Sequence, residues 1–226
     1  MVRTILLTLK KFQMKKLSLI LTLAGLVALS QAGIAQSIVG SAHDFSTAAW
    51  NSSSPKEICI VCHTPHNANT SVSNAPLWNH ALSAVASYTP YQSGTMQSTA
   101  GQPDGASKLC LSCHDGTVAL ENFGGTTSGT NKVLTKNLVG NGGTLADDHP
   151  ISIAYDGTLA GLDHGLKNPS ESSGIAGGST INADLLIDGK MQCSSCHDVH
   201  NSVSGTTHLL RVSNAGSALC LTCHKK

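Results

Sequence analysis

The sequence predicts a mostly irregular chain with short α-helices and little or no β-structure, wrapped around a core that side chains alone do not supply. Three observations carry this expectation. Aromatic residues make up 4% of the 226 residues, and Gly, Ser and Thr are abundant, a composition that builds a poor apolar interior. All eight cysteines fall in four C-x-x-C pairs, and each pair is followed at once by histidine. A Gly- and Thr-rich stretch, including "FGGTTSGT" (123–130) and "IAGGST" (175–180), separates the second pair from the third and reads as turns and loops.

Along the chain, Lys10, Lys11, Lys15 and Lys16 precede the apolar run "LSLILTLAGLVAL" (17–29), and small residues follow, ending in "GIA" (33–35). Basic start, short apolar run and small residues describe a secretory signal peptide over residues 1–35, cut after Ala35, and not a membrane span. The segment from Met14 is a complete signal by itself, so Met14 is an alternative start. No cysteine lies near the cut to take a lipid anchor, and no second apolar run is long enough to span a bilayer. The mature chain, residues 36–226, is therefore expected as one exported domain, extracellular or at the cell surface, with the periplasm as the alternative. Of the 14 basic residues the leader carries five (Arg3, Lys10, Lys11, Lys15 and Lys16), which leaves nine against 13 acidic ones. A net charge near −4 makes nucleic acid an improbable partner.

The motifs are Cys59, Cys62 and His63; Cys110, Cys113 and His114; Cys193, Cys196 and His197; Cys220, Cys223 and His224. Two thiols about one helical turn apart can both form thioethers to one haem while the next histidine turns to the iron. Zinc ribbons also pair C-x-x-C units but do not require a histidine after each. Thioredoxin-like dithiols need one pair on an α/β frame, and disulfides do not favour this repeated spacing. Four covalently bound haem c groups are the expectation, with His63, His114, His197 and His224 as proximal ligands. One haem for about 48 residues of mature chain makes a haem-dominated core, and the chain without haem is expected to be largely unfolded.

The mature chain reads as a haem pair used twice, around 59–114 and 193–224. "CIVCHTPHN" matches "CSSCHDVHN", and "SKLCLSCH" matches "SALCLTCH". Short helices are expected at each motif, with Asp115-Gly116 as a stop, and "HPISIAY" permits at most a short strand.

Eleven histidines less the four proximal ones leave His43, His66, His80, His149, His164, His200 and His208. That supply can give every iron a second imidazole, whereas Met96 and Met191 cannot serve four irons. His66 and His200 stand out, each three residues past a proximal histidine in both copies of the repeat. On a continuing helical turn His66 would lie beside His63, so it is expected to ligate the partner haem in its own half, at Cys110 and Cys113. His200 is expected to do the same at Cys220 and Cys223.

"SAHDFS", "CHTPHNA", "PLWN", "CLSCHDGTVA", "DHPIS", "CSSCHDVHNS" and "LCLTCH", in this order from about Ser41 to His224, resemble the OmcE-type tetrahaem cytochromes. These are extracellular proteins that polymerise into electron-conducting filaments. The resemblance implies four bis-histidine haems, with His43, His66, His149 and His200 as distal ligands; His80, His164 and His208 lie outside the matching words and stand in reserve. His43 lies on a terminal segment that precedes every haem, and such an arm can reach a haem of the next subunit; the expectation, which the resemblance supports, is a head-to-tail homopolymer in which His43 ligates the adjacent subunit's haem at the motif of His224. A ligand to the first haem of its own chain, or no ligand at all, are the alternatives for His43.

Three function classes follow: an extracellular conduit passing electrons among stacked haems to redox partners or extracellular acceptors, a soluble periplasmic tetrahaem shuttle, and a multihaem oxidoreductase. The last needs an iron with an open position. With no C-x-x-C-K variant and histidines to spare, no catalytic residue and no enzyme activity are expected.

Overall fold

Residues 38–53, 56–175, 177–201 and 207–225 are described by the computed structural model; the expected leader and its cut lie outside them. Over these residues the chain is mostly irregular, with short helices and one two-stranded sheet. The helices are α1 (Gly105–His114), α2 (Gly157–Leu162), α3 (Ile181–Leu185), α4 (Cys193–Cys196) and α5 (Ala218–Cys223), and the strands are β1 (Ile153–Ala154) and β2 (Lys190–Met191). Short 3-10 turns occupy Phe45–Thr47, Thr135–Asn137, Asn141–Gly143, Thr207–Leu209 and Ala215–Ser217. None of the described helices is long and apolar enough to cross a membrane.

Local chemistry sets these elements. α1 runs through "KLCLSCH" and stops where Asp115 N–H donates to Leu111 O at 3.2 Å and Gly116 N–H to Cys113 O at 3.1 Å. Gly116 takes φ +76°, and a Cβ there would come within 2.9 Å of Leu138 Cδ2, so the stop needs glycine twice over. α2 is capped by Asp156, which accepts from Leu159 N–H at 2.8 Å, and α3 by Thr180, which accepts from Ala183 N–H at 3.2 Å, each cap worth about 1 kcal/mol. β1 falls within "HPISIAY" and pairs antiparallel with β2, Ile153 opposite Met191 and Ala154 opposite Lys190.

The first motif departs from the helix expected at every motif. It forms one hydrogen-bonded turn, Cys62 N–H and His63 N–H both donating to Cys59 O at 3.1 and 2.9 Å. Its flanks, Ile58, Ile60 and Val61, are β-branched and stiff at χ1, which weakens helix propagation; the leucines of "KLCLSCH" carry no such cost.

Apolar packing is divided among four small clusters, and each touches a motif. Tyr155, Leu159, Ile181, Leu185 and Leu186 pack with Cys223 of α5. Val72, Trp78 and Leu109 pack with Cys62. Tyr88, Leu111 and Leu145 form a third group on α1, and Ala100, Ile153 and Met191 a fourth against Cys196.

Candidate haem attachment sites

At each C-x-x-C-H the motif histidine meets a crossing segment of main chain. After the first motif, Thr64 N–H donates to Leu77 O at 2.9 Å and Asn79 N–H to Cys62 O at 2.9 Å, making an antiparallel bridge of His63 with Trp78. After the third, Asp198 N–H donates to Leu209 O at 2.7 Å and Arg211 N–H to Cys196 O at 2.9 Å, bridging His197 with Leu210. At the second, Val139 N–H donates to His114 O at 2.8 Å; at the fourth, His224 bridges to Leu166.

These straps fix the imidazoles. The Nδ1–H of His63 donates to Pro76 O at 2.5 Å, that of His114 to Asn137 O at 2.8 Å and that of His197 to His208 O at 2.9 Å. A carbonyl only accepts, so Nδ1 carries the proton and Nε2 keeps its lone pair for a metal, while the bond makes the ring a stronger ligand.

Three motif histidines face a spare histidine across a gap. Ring centres stand 6.1 Å apart for His43 and His114, 6.2 Å for His63 and His200, and 6.3 Å for His149 and His224, with interplanar angles of 50°, 14° and 76°. An imidazole–metal bond is about 2 Å and the ring centre lies about 1 Å further, so two imidazoles on opposite sides of one iron have centres about 6 Å apart. Every pair joins one motif histidine to one spare, and no pair joins two of a kind. The His149 Nδ1–H donates to Pro150 O at 3.0 Å and so also leaves Nε2 free. Half-buried His43 has its pKa lowered to about 4, by burial first and then by the neighbouring His114, His197 and His200, which keeps it in the neutral form that metals bind.

The pairing differs from the one expected by helical reasoning. His200 faces His63 and not His224; His43 faces His114 of its own chain; His66 is exposed and faces neither His114 nor, among the described residues, any other imidazole. The helix does not continue through the motif histidine: His197 is the C-cap of α4 with φ −109° and ψ 141°, and the strap takes over from there. His66 and His200 thus sit on turns closed by left-handed Asn67 (φ 58°) and Asn201 (φ 53°). The reserve histidines are placed apart from the pairs. His80 is buried with Nδ1 at 2.8 Å from Ala81 O and Nε2 at 3.0 Å from Ala119 O, so a carbonyl stands against each ring nitrogen. His164 and His208 are exposed.

The cysteines lie free in pairs at the bases of these sites. Burial pushes Cys62 up to about 11, Cys113 to about 12 and Cys196 to about 11, marking apolar surroundings suited to a thioether. The Cys193 thiol, and after it burial, push Cys110 well up, while the Cys110 thiol draws Cys193 down to about 7. No three His, Cys, Asp or Glu side chains among the described residues converge as a zinc site requires.

Two features escaped sequence reasoning. Asp115 is buried directly after His114 and accepts from Tyr88 O–H at 2.6 Å, Thr117 N–H at 2.8 Å, Thr117 O–H at 2.7 Å and Ser83 O–H. Burial works to raise its pKa, and these bonds outweigh it and hold the carboxylate ionised. The other is Gln192, buried between α1 and α4. A polar side chain next to a motif was the available signal for both.

The thiols in register, the Nδ1-anchored imidazoles and the facing rings fit a porphyrin with iron between two imidazoles. Residues 187–226, which hold the third and fourth motifs, match the family model described as Doubled CXXCH motif. No curated protein matches the chain. Four C-x-x-C-H motifs and this match make the molecule a multihaem c-type cytochrome that binds haem c covalently through these motifs, and the chemistry of that class is electron transfer.

Proposed function

We propose that this multihaem c-type cytochrome carries four haems, each held between two imidazoles, and relays electrons among them without acting on a substrate. The observation that carries the reading is the facing of a motif histidine by a spare one at 6.1–6.3 Å in three places. The assigned ligand pairs are His114 with His43, His63 with His200, and His224 with His149. The repeat assigns His66 to His197, because His200 stands three residues after the third motif and faces His63, and His66 stands three residues after the first. With two imidazoles assigned to each haem, the chain would leave no ligand place open to a substrate. Bound haem supplies an iron that changes between ferric and ferrous states without exchanging ligands. The chain's part is to attach the porphyrin by paired thiols, to orient the rings of His63, His114 and His197 by their Nδ1–H bonds, and to keep potentials below those of His/Met cytochromes by giving two imidazoles to each haem. Electron paramagnetic resonance of the oxidised protein tests the ligand set: four low-spin haems are expected, and a stoichiometric high-spin haem overturns it.

We place the protein outside the cell, as a head-to-tail filament that delivers electrons to redox partners or extracellular acceptors. The OmcE-type words and the leader pattern support this, and so does the N-terminal arm. Among the described residues, the hydrogen bonds of residues 38–53 all close within residues 38–57, as where Asn51 Nδ2–H donates to Phe45 O at 3.1 Å and Glu57 O at 3.2 Å. The arm's ring contact with the rest is that of His43 with His114, and His197 and His200 lie near enough to help lower the pKa of His43. An arm that presents an imidazole to a haem can serve the same position on a neighbouring copy, and exchange repeated without ring closure makes a fibre. The acceptor is then the haem of His114 in the next subunit, not that of His224. A monomeric periplasmic shuttle is the second reading, favoured by the fact that His43 reaches His114 within one chain. Negative-stain imaging of secreted wild-type and His43→Ala protein separates them: filaments lost on substitution, with four haems retained, support exchange, and wild-type protein that stays monomeric overturns it.

A further inference from the structure

Between α1 and α4 lies a buried polar cluster that no haem ligand uses. Gln192 is 3% exposed, Ser107 0% and Ser195 2%. The Gln192 Oε1 accepts from Ser107 N–H at 3.1 Å and from Ser152 O–H at 3.2 Å, and its Nε2–H donates to Asp104 Oδ1 at 2.8 Å. In return the Ser107 Oγ accepts from Cys193 N–H at 3.0 Å. Asp104 N–H donates to Ser152 Oγ at 3.0 Å, and Lys190 Nζ bonds the other oxygen of Asp104. Gln192 N–H donates to Ser195 Oγ at 2.9 Å, starting α4. The first turns of the two helices are therefore tied to each other in both directions, the carboxamide using three of its four hydrogen-bonding places.

Three features set this cluster apart from ordinary helix capping. A polar side chain so deeply buried is kept only when its bonds are made. Ser152, which supplies one of them, sits at φ +57°, a conformation unfavourable for any residue with a Cβ. And the two helices tied here carry Cys110 and Cys193, one attachment thiol of the second motif and one of the third: Cys193 N–H bonds Ser107, which stands one helical turn before Cys110. Each thiol becomes a thioether on a porphyrin edge, so the distance between those edges is set where the helices are clamped. Electron transfer falls steeply with edge-to-edge separation.

We propose that Gln192 and Ser107 are positioning residues that hold the haems of the second and third motifs edge to edge, making the clamped approach of α1 to α4 a crossing point for electrons between the two halves of the chain. The inference rests on both motifs carrying haem, as the proposed function has it. The clamp touches neither iron nor axial ligand, so it acts on the rate of passage and leaves the spin states alone.

The test uses the full holoprotein, with Gln192→Ala and Ser107→Ala as separate variants. In partly reduced samples, nuclear magnetic resonance exchange between assigned haem methyls reports how fast electrons move between particular haems. A tenfold or greater slowing between the second and third haems is expected in both variants, with exchange between the third and fourth unchanged and all four haems low-spin. A variant that merely loosens the fold would lower thermal stability and leave that selectivity absent. Unchanged exchange between the second and third haems in either folded variant overturns the inference. If Gln192→Ala does not yield folded holoprotein, Ser107→Ala decides alone, since it removes one hydroxyl from a helix position that accepts alanine. Wild-type protein whose second or third haem is missing or cannot be reduced would instead overturn the proposed function.

Discussion

The first and third motifs are followed by straps whose sequences, "APLWN" and "THLLR", share one leucine, and whose main chains make the same bonds. In each, a carbonyl two residues before the bridging residue receives the proximal Nδ1–H: Pro76 for His63, His208 for His197. In each, the leucine between them, Leu77 or Leu209, stands at positive φ, 53° and 56°, where a residue with a Cβ pays about 1–2 kcal/mol. In each, the next side chain reaches back to the carbonyl after the first cysteine: Asn79 Nδ2–H to Ile60 O at 2.5 Å and Arg211 Nε–H to Ser194 O at 2.6 Å. The copies diverge in side-chain partners. His200 faces His63, whereas His66 faces no imidazole among the described residues. The repeat thus preserves how a motif histidine is held and leaves open what stands opposite it.

The comparison breaks most sharply at the distal histidines. His200→Ala should turn the haem of His63 from low-spin to high-spin while four haems stay attached, read by paramagnetic resonance and intact mass. If His66 answers the same repeat, His66→Ala should do so at the haem of His197; an unaltered spectrum there would confine the symmetry to the main chain. Next come the bridging residues. Trp78 is buried in an apolar cluster and Leu210 is half-buried, so Trp78→Ala should cost about 3–5 kcal/mol and Leu210→Ala about 1 kcal/mol in denaturant unfolding of the holoprotein. A nearly equal pair of losses would show that the first strap does not depend on its cluster. Asn79→Ala and Arg211→Ala should each cost about 1 kcal/mol, and their agreement tests whether two different side chains do one job. Smallest are the turn residues. Asn67→Gly and Asn201→Gly should change stability by no more than about 0.5 kcal/mol, because both residues tolerate left-handed backbone, whereas valine at either place should cost about 1–2 kcal/mol.

The same contrast shows what could be read from sequence. The motifs and the stop of α1 at Asp115-Gly116 were legible because each depends on residue types at fixed offsets, and the weak alternation of "HPISIAY" allowed no more than the two-residue strand found there. The straps were not, since their likeness lies in main-chain bonds and in a backbone angle that leucine ordinarily avoids. Nor was the pairing of imidazoles: periodicity predicts which side chains share a helical face, and at His63 and His197 there is no helix left to share. The arm of residues 38–53 brings His43 beside His114 across a separation in sequence that no local rule spans.

The division of apolar packing among the described residues into four clusters, three of them built against an attachment cysteine and the fourth on Leu111 inside the second motif, bears on how such a chain is made. A protein with a single interior stands or falls as a unit, and one fault is felt throughout. Here Cys223 anchors one group of side chains, Cys62 another and Cys196 a third, so a thiol left without its cofactor would undo its own neighbourhood first. Assembly becomes a series of small tasks, each completed when a bond to carbon is made, and the order of those bonds along the emerging chain can stand in for the nucleus that this sequence is too poor in apolar residues to form.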